Sequence, residues 1–385
     1  MRRKSWMICV SSAAGAASGN RLSNASFQEL AAAADDKANK TGSRIIINEL
    51  IIMVEEHPFA QYVRILGKGK NGSRSLTREE AQDAMRMILR DEVEPEQLGA
   101  FLMLLRVQEE APEEIAGFVD ASRELFDIPA NMPTVDLDWS SYAGKKRQLP
   151  WYLLSTLLLA ENGITVFMHG ASGHTAGRVY TKDVLSQFGL APCTNMQEVK
   201  TNLENNNFAY MDLEFLSPKL HHIIELRPIL GLRSPVHTLS RMLNPLDAEY
   251  VMQGIFHPGY RPIHQEAAVL LQIPHLIVVK GDGGEIERNP DSTSVVQNVH
   301  QGETFDEEWP AMFKRRHVRD DVMDVSRLPK LWYGSDSDEY GIAAVIGTAA
   351  MALKMMGRAD TMEQAETIAT DMWNNRHKDK FGAVA

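Results

Sequence analysis

HLIVVKGDGG, residues 275–284, decides the architecture. After His275, four apolar, branched residues are followed at once by Lys280, Gly281, Asp282, Gly283 and Gly284. So short and wholly apolar a run predicts a strand buried on both faces, and glycines beyond it let backbone approach a ligand. ITVFM at 164–168 repeats the form and ends in His169 and Gly170, and TVDL at 134–137 is a shorter strand candidate. Between them, 153–160 reads as an apolar helix, and Asp183, Val184 and Leu185 begin another helical pattern. Strands alternating with helices predict an α/β domain with a mainly parallel sheet flanked by helices, its ligands at the carboxyl ends of the strands.

Upstream the pattern is purely helical. Thr77 with Glu80 three residues on is a capping-box arrangement, and Ala81, Ala84, Met85, Ile88 and Leu89 then share one face. Glu94-Pro95 opens a second helix with Leu98, Phe101, Leu102 and Leu105 inward, and Pro112 a third with Ile115, Phe118 and Val119. Residues 56–127 therefore form a small N-terminal helical domain and 128–385 the larger α/β domain. Residues 1–55 read as a poorly ordered extension, or as a misread gene start with translation beginning at Met53. The apolar 45–54 segment would dock as a helix if it is made.

The 385-residue chain is 44% hydrophobic and 24% charged, an ordinary globular composition. Its two cysteines, Cys9 and Cys193, make no disulfide framework. Arg2, Arg3 and Lys4 before a short apolar stretch imitate a signal peptide, but the apolar heart, 6–10, is too short. With no membrane-length apolar run, the protein is expected in the cytoplasm and off the membrane. The net charge of −11 excludes a globally basic coat, so an anion site must be a local patch.

Three windows hold cations and no acids. Residues 61–78 contain Arg64, Lys68, Lys70, Arg74 and Arg78; 139–160 contain Lys145, Lys146 and Arg147; 226–246 contain Arg227, Arg233 and Arg241. A single such run is usually a solvated face, but three, two of them beside glycines, point to a phosphate cradle. GKGKNG at 67–72 lacks nucleotide-loop spacing and is either a close-approach turn or a plain one. Adjacent His221 and His222 would diverge on a helix, and H-E-x-x-H, C-x-x-C and G-x-S-x-G are all missing, so zinc and triad chemistry have no support. Asp282, Glu285 and Glu287 read equally as a magnesium site or as an acidic turn.

LTREEAQDAMRMILRDEVEPEQLGAFLMLLR and EEIAGFVDASR resemble the helical domain of anthranilate phosphoribosyltransferase. FMHG at 167–170, DVLSQFG at 183–189, ELRPILGLR at 225–233, Asn244-Pro245 and VVKGDGGEIE at 278–287 follow in that family's order. The resemblance, to the glycosyltransferase family 3 fold over roughly 56–385, implies a homodimer through the helical domain, joined by part of 218–246. Arg227 matches the arginine that meets the aromatic acid in active members. The family's GTGGD loop is replaced here by SSYAGKKR, 140–147, its KHGN by MHGA, 168–171, and its DGLDE by DGGEIE, in which only Glu285 carries over as a metal ligand. Phosphoribosyl transfer needs metal-neutralised pyrophosphate oxygens and close backbone amides, so efficient synthesis of phosphoribosyl anthranilate is not expected.

SSYAGKKRQLPW, GLRSPVHTL and GDGGEIERNP look like the divergent YbiB-type branch, for which the resemblance implies binding of DNA or RNA with little sequence preference. Backbone binding needs a groove lined by Lys and Arg and no cofactor. Lys68, Lys70, Arg74, Lys145, Lys146, Arg147, His169, Arg178, Arg227, Arg233 and Arg241 are the expected phosphate contacts. The rival expectation is a magnesium-dependent pentosyltransferase using phosphoribosyl pyrophosphate, with Lys145, Lys146 and Arg147 on the pyrophosphate; a metabolite sensor is a third.

Overall fold

The computed structural model describes residues 56–318 and 322–381. The expected extension, its 45–54 helix and the Met53 start lie outside them.

The helical domain begins with α1 (Ala60–Gly67), followed by α2 (Arg78–Leu89), α3 (Pro95–Gln108) and α4 (Pro112–Arg123). The Thr77 box forms as read: the Glu80 N–H donates to Thr77 Oγ1 at 3.2 Å and the Thr77 N–H to Glu80 Oε2 at 2.9 Å. Pro95 and Pro112 sit in the first turns, where a missing N–H costs nothing. The anticipated inward faces are buried, Leu98 only partly, and Phe59, Phe101 and Phe118 pack edge to face at 5.1 and 6.1 Å. α2 and α4 cross so closely that a Cβ on Gly117 would lie 2.2 Å from the Arg78 carbonyl oxygen, so only glycine fits there.

The larger domain runs β1 (Leu137–Ser141), α5 (Tyr152–Glu161), β2 (Val166–Gly170), α6 (Thr181–Leu185), α7 (Met196–Asn206), β3 (Phe208–Asp212), α8 (Leu213–Leu216), α9 (Pro218–Glu225), α10 (Arg227–Leu230), α11 (Val236–Leu239), β4 (Tyr250–Gly254), α12 (Tyr260–Leu270), β5 (His275–Val279), β6 (Ser294–His300), β7 (Glu303–Trp309), α13 (Arg327–Tyr333), α14 (Glu339–Met355) and α15 (Met362–Asn375). The sheet order is β3-β2-β1-β4-β5-β6-β7; the first five strands are parallel and the β6–β7 hairpin joins antiparallel.

The first strand is a correction. TVDL was expected to form it, but the strand starts at Leu137 and continues through Trp139, Ser140 and Ser141, all buried. Its serines hide its strand character; Ser141 Oγ is satisfied internally, 2.8 Å from Thr181 Oγ1 and 3.2 Å from the Tyr152 hydroxyl. Leu220, Ile223 and Ile224 on α9 join the same hydrophobic cluster as Phe101 and Phe118. From β1 the chain winds outward to β2 and β3, then returns to place β4 on the other side of β1. Strand order reverses there, and in an open parallel sheet the ligand crevice forms at that point.

Candidate functional site

Three loops meet at the crevice: the one after β1, the one after β4 and the one after β5. Their approach is tight, since a Cβ on Gly254 would lie 2.4 Å from the Glu285 carbonyl carbon. The Ala143 and Gly144 N–H groups point in one direction, as a phosphate cradle requires. What they hold is the chain's own Glu285, whose Oε1 accepts both at 2.5 and 2.6 Å. Burial pushes the Glu285 carboxyl upward, opposed by these two N–H bonds and by Arg241.

A second anion position is filled in the same way. Glu287 Oε2 accepts the Tyr152 N–H at the start of α5 at 3.0 Å, and its Oε1 lies 2.6 Å from Lys145 Nζ. Both members of this pair are essentially inaccessible. Burial raises the Glu287 carboxyl, and Lys145 opposes the rise.

Four arginines surround the same crevice. Arg178 Nη1 donates to the Ala143 and Gly144 carbonyls at 2.8 and 3.1 Å, clamping the β1 loop. Arg227 Nη1 donates to Thr175 Oγ1 at 2.8 Å and the His174 carbonyl at 3.1 Å. Buried Arg241 donates through Nε to the Gly254 carbonyl at 3.2 Å, and its guanidinium stands 5.9 Å from the Tyr142 ring centre. Arg233 is half-buried and makes neither hydrogen bond nor ion pair among the described residues. Burial, together with repulsion from Arg241, Arg227 and Arg178, pulls Arg233 down to about 10. Burial, with repulsion from Arg233, Arg241 and Arg227, pulls His174 down to about 4. Among the described residues no carboxylate lies within ion-pair distance of any of the four, so a bound anion would relieve their repulsion.

The structure sorts the other expected contacts. Lys146 and Arg147 are exposed in the loop after Gly144, and Lys68 and Lys70 on the turn after α1; none of the four has a hydrogen-bond partner among the described residues. Arg74 does not stand free: it grips Glu80 through both Nη atoms at 2.6 and 2.7 Å, which ties it to the α2 cap. Lys145 is withdrawn from any ligand by Glu287. His169 is fully buried, its Nδ1 2.7 Å from the Tyr142 hydroxyl and its Nε2 3.3 Å from Asp138 Oδ1, so it positions Tyr142 and reaches no ligand. As a metal ligand Glu285 fares no better. Among the described residues no three acidic, His or Cys side chains form a metal set, with Glu285 on the loop amides and Glu287 on Lys145. The residues present do not fit magnesium.

Sequence reasoning passed over one basic segment. Lys314, Arg315 and Arg316 are exposed beyond β7, at the crevice end of the sheet, where the Met312 N–H donates to the Pro290 carbonyl at 2.8 Å. His317 anchors the segment, its Nδ1 2.7 Å from Asp291 and its Nε2 3.1 Å from Glu339. The run of three cations was the signal, hidden among neighbouring acids.

A helical bundle beside a parallel sheet, with backbone N–H groups gathered at the strand ends where strand order reverses, defines an α/β protein with an anion-cradle geometry at its crevice. The helical bundle domain of the glycosyl transferase family matches residues 61–126 and that family's a/b domain matches 152–375, so the chain belongs to this family. It is 28% identical over 323 residues to the anthranilate phosphoribosyltransferase of Agrobacterium fabrum, covering 81% of this chain and 92% of that one. The Escherichia coli protein YbiB is 27% identical over 238 residues, covering 60% and 73%. The fold is that of the Saccharomyces cerevisiae anthranilate phosphoribosyltransferase solved with phosphoribosyl pyrophosphate and magnesium, with a TM-score of 0.67 at 17% identity over 83% of this chain and 94% of that one. Among the described residues no helix is long and apolar enough to cross a membrane.

Proposed function

We propose that this member of the family binds nucleic acid, DNA or RNA with little sequence preference, along the arginine-lined crevice, and retains little or no anthranilate phosphoribosyltransferase activity. The observation that carries the reading is Glu285 on the Ala143 and Gly144 N–H groups. A pyrophosphate cradle that is already filled, with no metal set beside it, leaves the electrostatic demand of phosphoribosyl transfer unmet. Arg233 and the exposed Lys146, Arg147 and Lys314 to Arg316 remain for a phosphodiester backbone. Such contacts carry no sequence information, which fits binding without base preference.

A labelled oligonucleotide of about 30 bases, titrated from roughly 50 to 300 mM salt, tests this. Affinity is expected to fall steeply, with a slope of about 0.7 to 0.9 per phosphate contact, and magnesium is expected to weaken binding by competition. If the chain binds no oligonucleotide at the lowest salt and instead turns over phosphoribosyl pyrophosphate with magnesium, the pentosyltransferase reading replaces this one.

We also propose a homodimer through the helical domain, located in the cytoplasm. Ile229 on α10, in the 218–246 segment expected to join the helical domain, is 80% exposed and Leu232 just after it 51%, apolar area that suits a partner copy. Sedimentation should give a dimer, with Ile229→Asp shifting it to monomer; a wild-type monomer at high concentration would refute the pairing.

A further inference from the structure

A cleft opens between the end of the helical domain and the crevice loops, lined among others by Glu110, Arg233, Ser234, His237, Phe256 and His264. Four of these side chains are at least nine-tenths buried and carry a polar atom with no partner: Glu110 Oε2, Ser234 Oγ, His237 Nε2 and His264 Nε2. Buried polar groups are normally satisfied, and four orphans around one cleft mark a place for something that satisfies them.

Their chemistry narrows the ligand. His237 Nδ1 lies 3.2 Å from the Ser234 carbonyl oxygen and His264 Nδ1 2.6 Å from Gln253 Oε1. Each Nδ1 therefore carries the proton, and each Nε2 presents a lone pair. Burial keeps both rings neutral, His264 down to about 3 and His237 well below the usual histidine range. Glu110 is pushed up to about 7 by burial, so near neutral pH its carboxyl is half protonated and serves as donor or acceptor. Phe256, 50% exposed at the rim, offers a ring face, and Arg233 an unpaired cation. Two acceptors, two groups of either kind, a stacking surface and a cation complement a planar heterocycle bearing an amino group and joined to a phosphate.

We propose that this cleft takes a single unstacked nucleotide, its amino-bearing base among His237, His264 and Glu110 and against Phe256, and its phosphate on Arg233. The inference rests on the nucleic-acid reading of the same crevice and adds to it a preference for single strands, because a paired base cannot enter. The nucleotide is either free or part of a strand.

The test compares single-stranded and duplex oligonucleotides of about 12 bases with the full chain at one salt concentration, beside cytidine and thymidine homopolymers and free adenosine monophosphate as competitor. Single strands are expected to bind about tenfold or more tightly than duplex, with cytidine, which bears the amino group, several-fold ahead of thymidine. Phe256→Ala, at an exposed position that leaves folding intact, should remove about tenfold of single-strand affinity and leave duplex affinity unchanged. His237→Leu should abolish the cytidine preference. Competition by adenosine monophosphate at micromolar levels would support the pocket with a free nucleotide as its occupant. Equal affinity for single strand and duplex, unmoved by Phe256→Ala, would overturn the proposal while leaving groove binding intact. Failure to bind any nucleic acid would instead remove the reading beneath it, and with no binding of adenosine monophosphate the pocket as well.

Discussion

Glu285→Ala is expected to lower stability by about 3–5 kcal/mol and to open a pyrophosphate site that the native carboxylate fills. The substitution strips the Ala143 and Gly144 N–H groups of the acceptor they share and leaves buried Arg241 without its balancing charge. A buried donor left unmade costs its full desolvation, and two such donors beside an uncompensated cation make this one of the largest single effects the chain offers. Because the empty cradle is a ready anion site, pyrophosphate at about 100 times its dissociation constant should return about 2.7 kcal/mol, read as a rise in Tm of the variant and not of the wild type. Glu285→Gln keeps one acceptor, so it should lose less and gain no pyrophosphate response. A Glu285→Ala protein that melts at the same temperature with and without pyrophosphate would show that the loop amides are no phosphate cradle.

Lys145→Met is expected to cost a similar amount, about 3–5 kcal/mol, because it leaves Glu287 charged and unpaired in a fully buried place. Burial raises the Glu287 carboxyl, and without Lys145 the rise is larger. A carboxyl whose folded pKa lies above its unfolded one loses stability as pH rises between the two, so the penalty should be small near pH 4 and grow as the pH is raised. Replacing both partners, Lys145→Met with Glu287→Leu, should recover most of the loss, since a well-packed apolar pair is often no less stable than a buried ion pair. The double variant should also bind oligonucleotide within about twofold of wild type, because Lys145 touches no ligand. Urea denaturation at several pH values reads the first expectation and the titration reads the second. A double variant that folds but loses binding would put Lys145 back among the phosphate contacts.

The elements that could be read from sequence were those whose signal is local. The Thr77–Glu80 box lies within one helical turn, and β5 is His275–Val279, whose four consecutive apolar residues 276–279 suit a strand covered on both faces. β3 and β4 escaped notice because FAYMD and YVMQG each end on polar or small residues. β7 was hidden because ETFDEEW is an exposed edge strand rich in acids. The site follows the same rule. Arginines Arg227, Arg233 and Arg241 fall in one window of sequence and do gather at one crevice. The fate of Lys145 could not be read, because its partner Glu287 stands 142 residues further on. Arg74 could have been, since Glu80 is only six residues away.

An acidic chain binds a polyanion only if its free cations share a face, and Arg233 is the cation placed to report on that. The decisive measurement is the slope of log affinity against log salt for a single-stranded oligonucleotide, taken for wild type and for Arg233→Glu. The account predicts a steep wild-type slope and, in the variant, a slope shallower by about one phosphate contact with an affinity at least tenfold weaker at low salt. Identical slopes and affinities would contradict it and place any nucleic-acid binding away from the crevice.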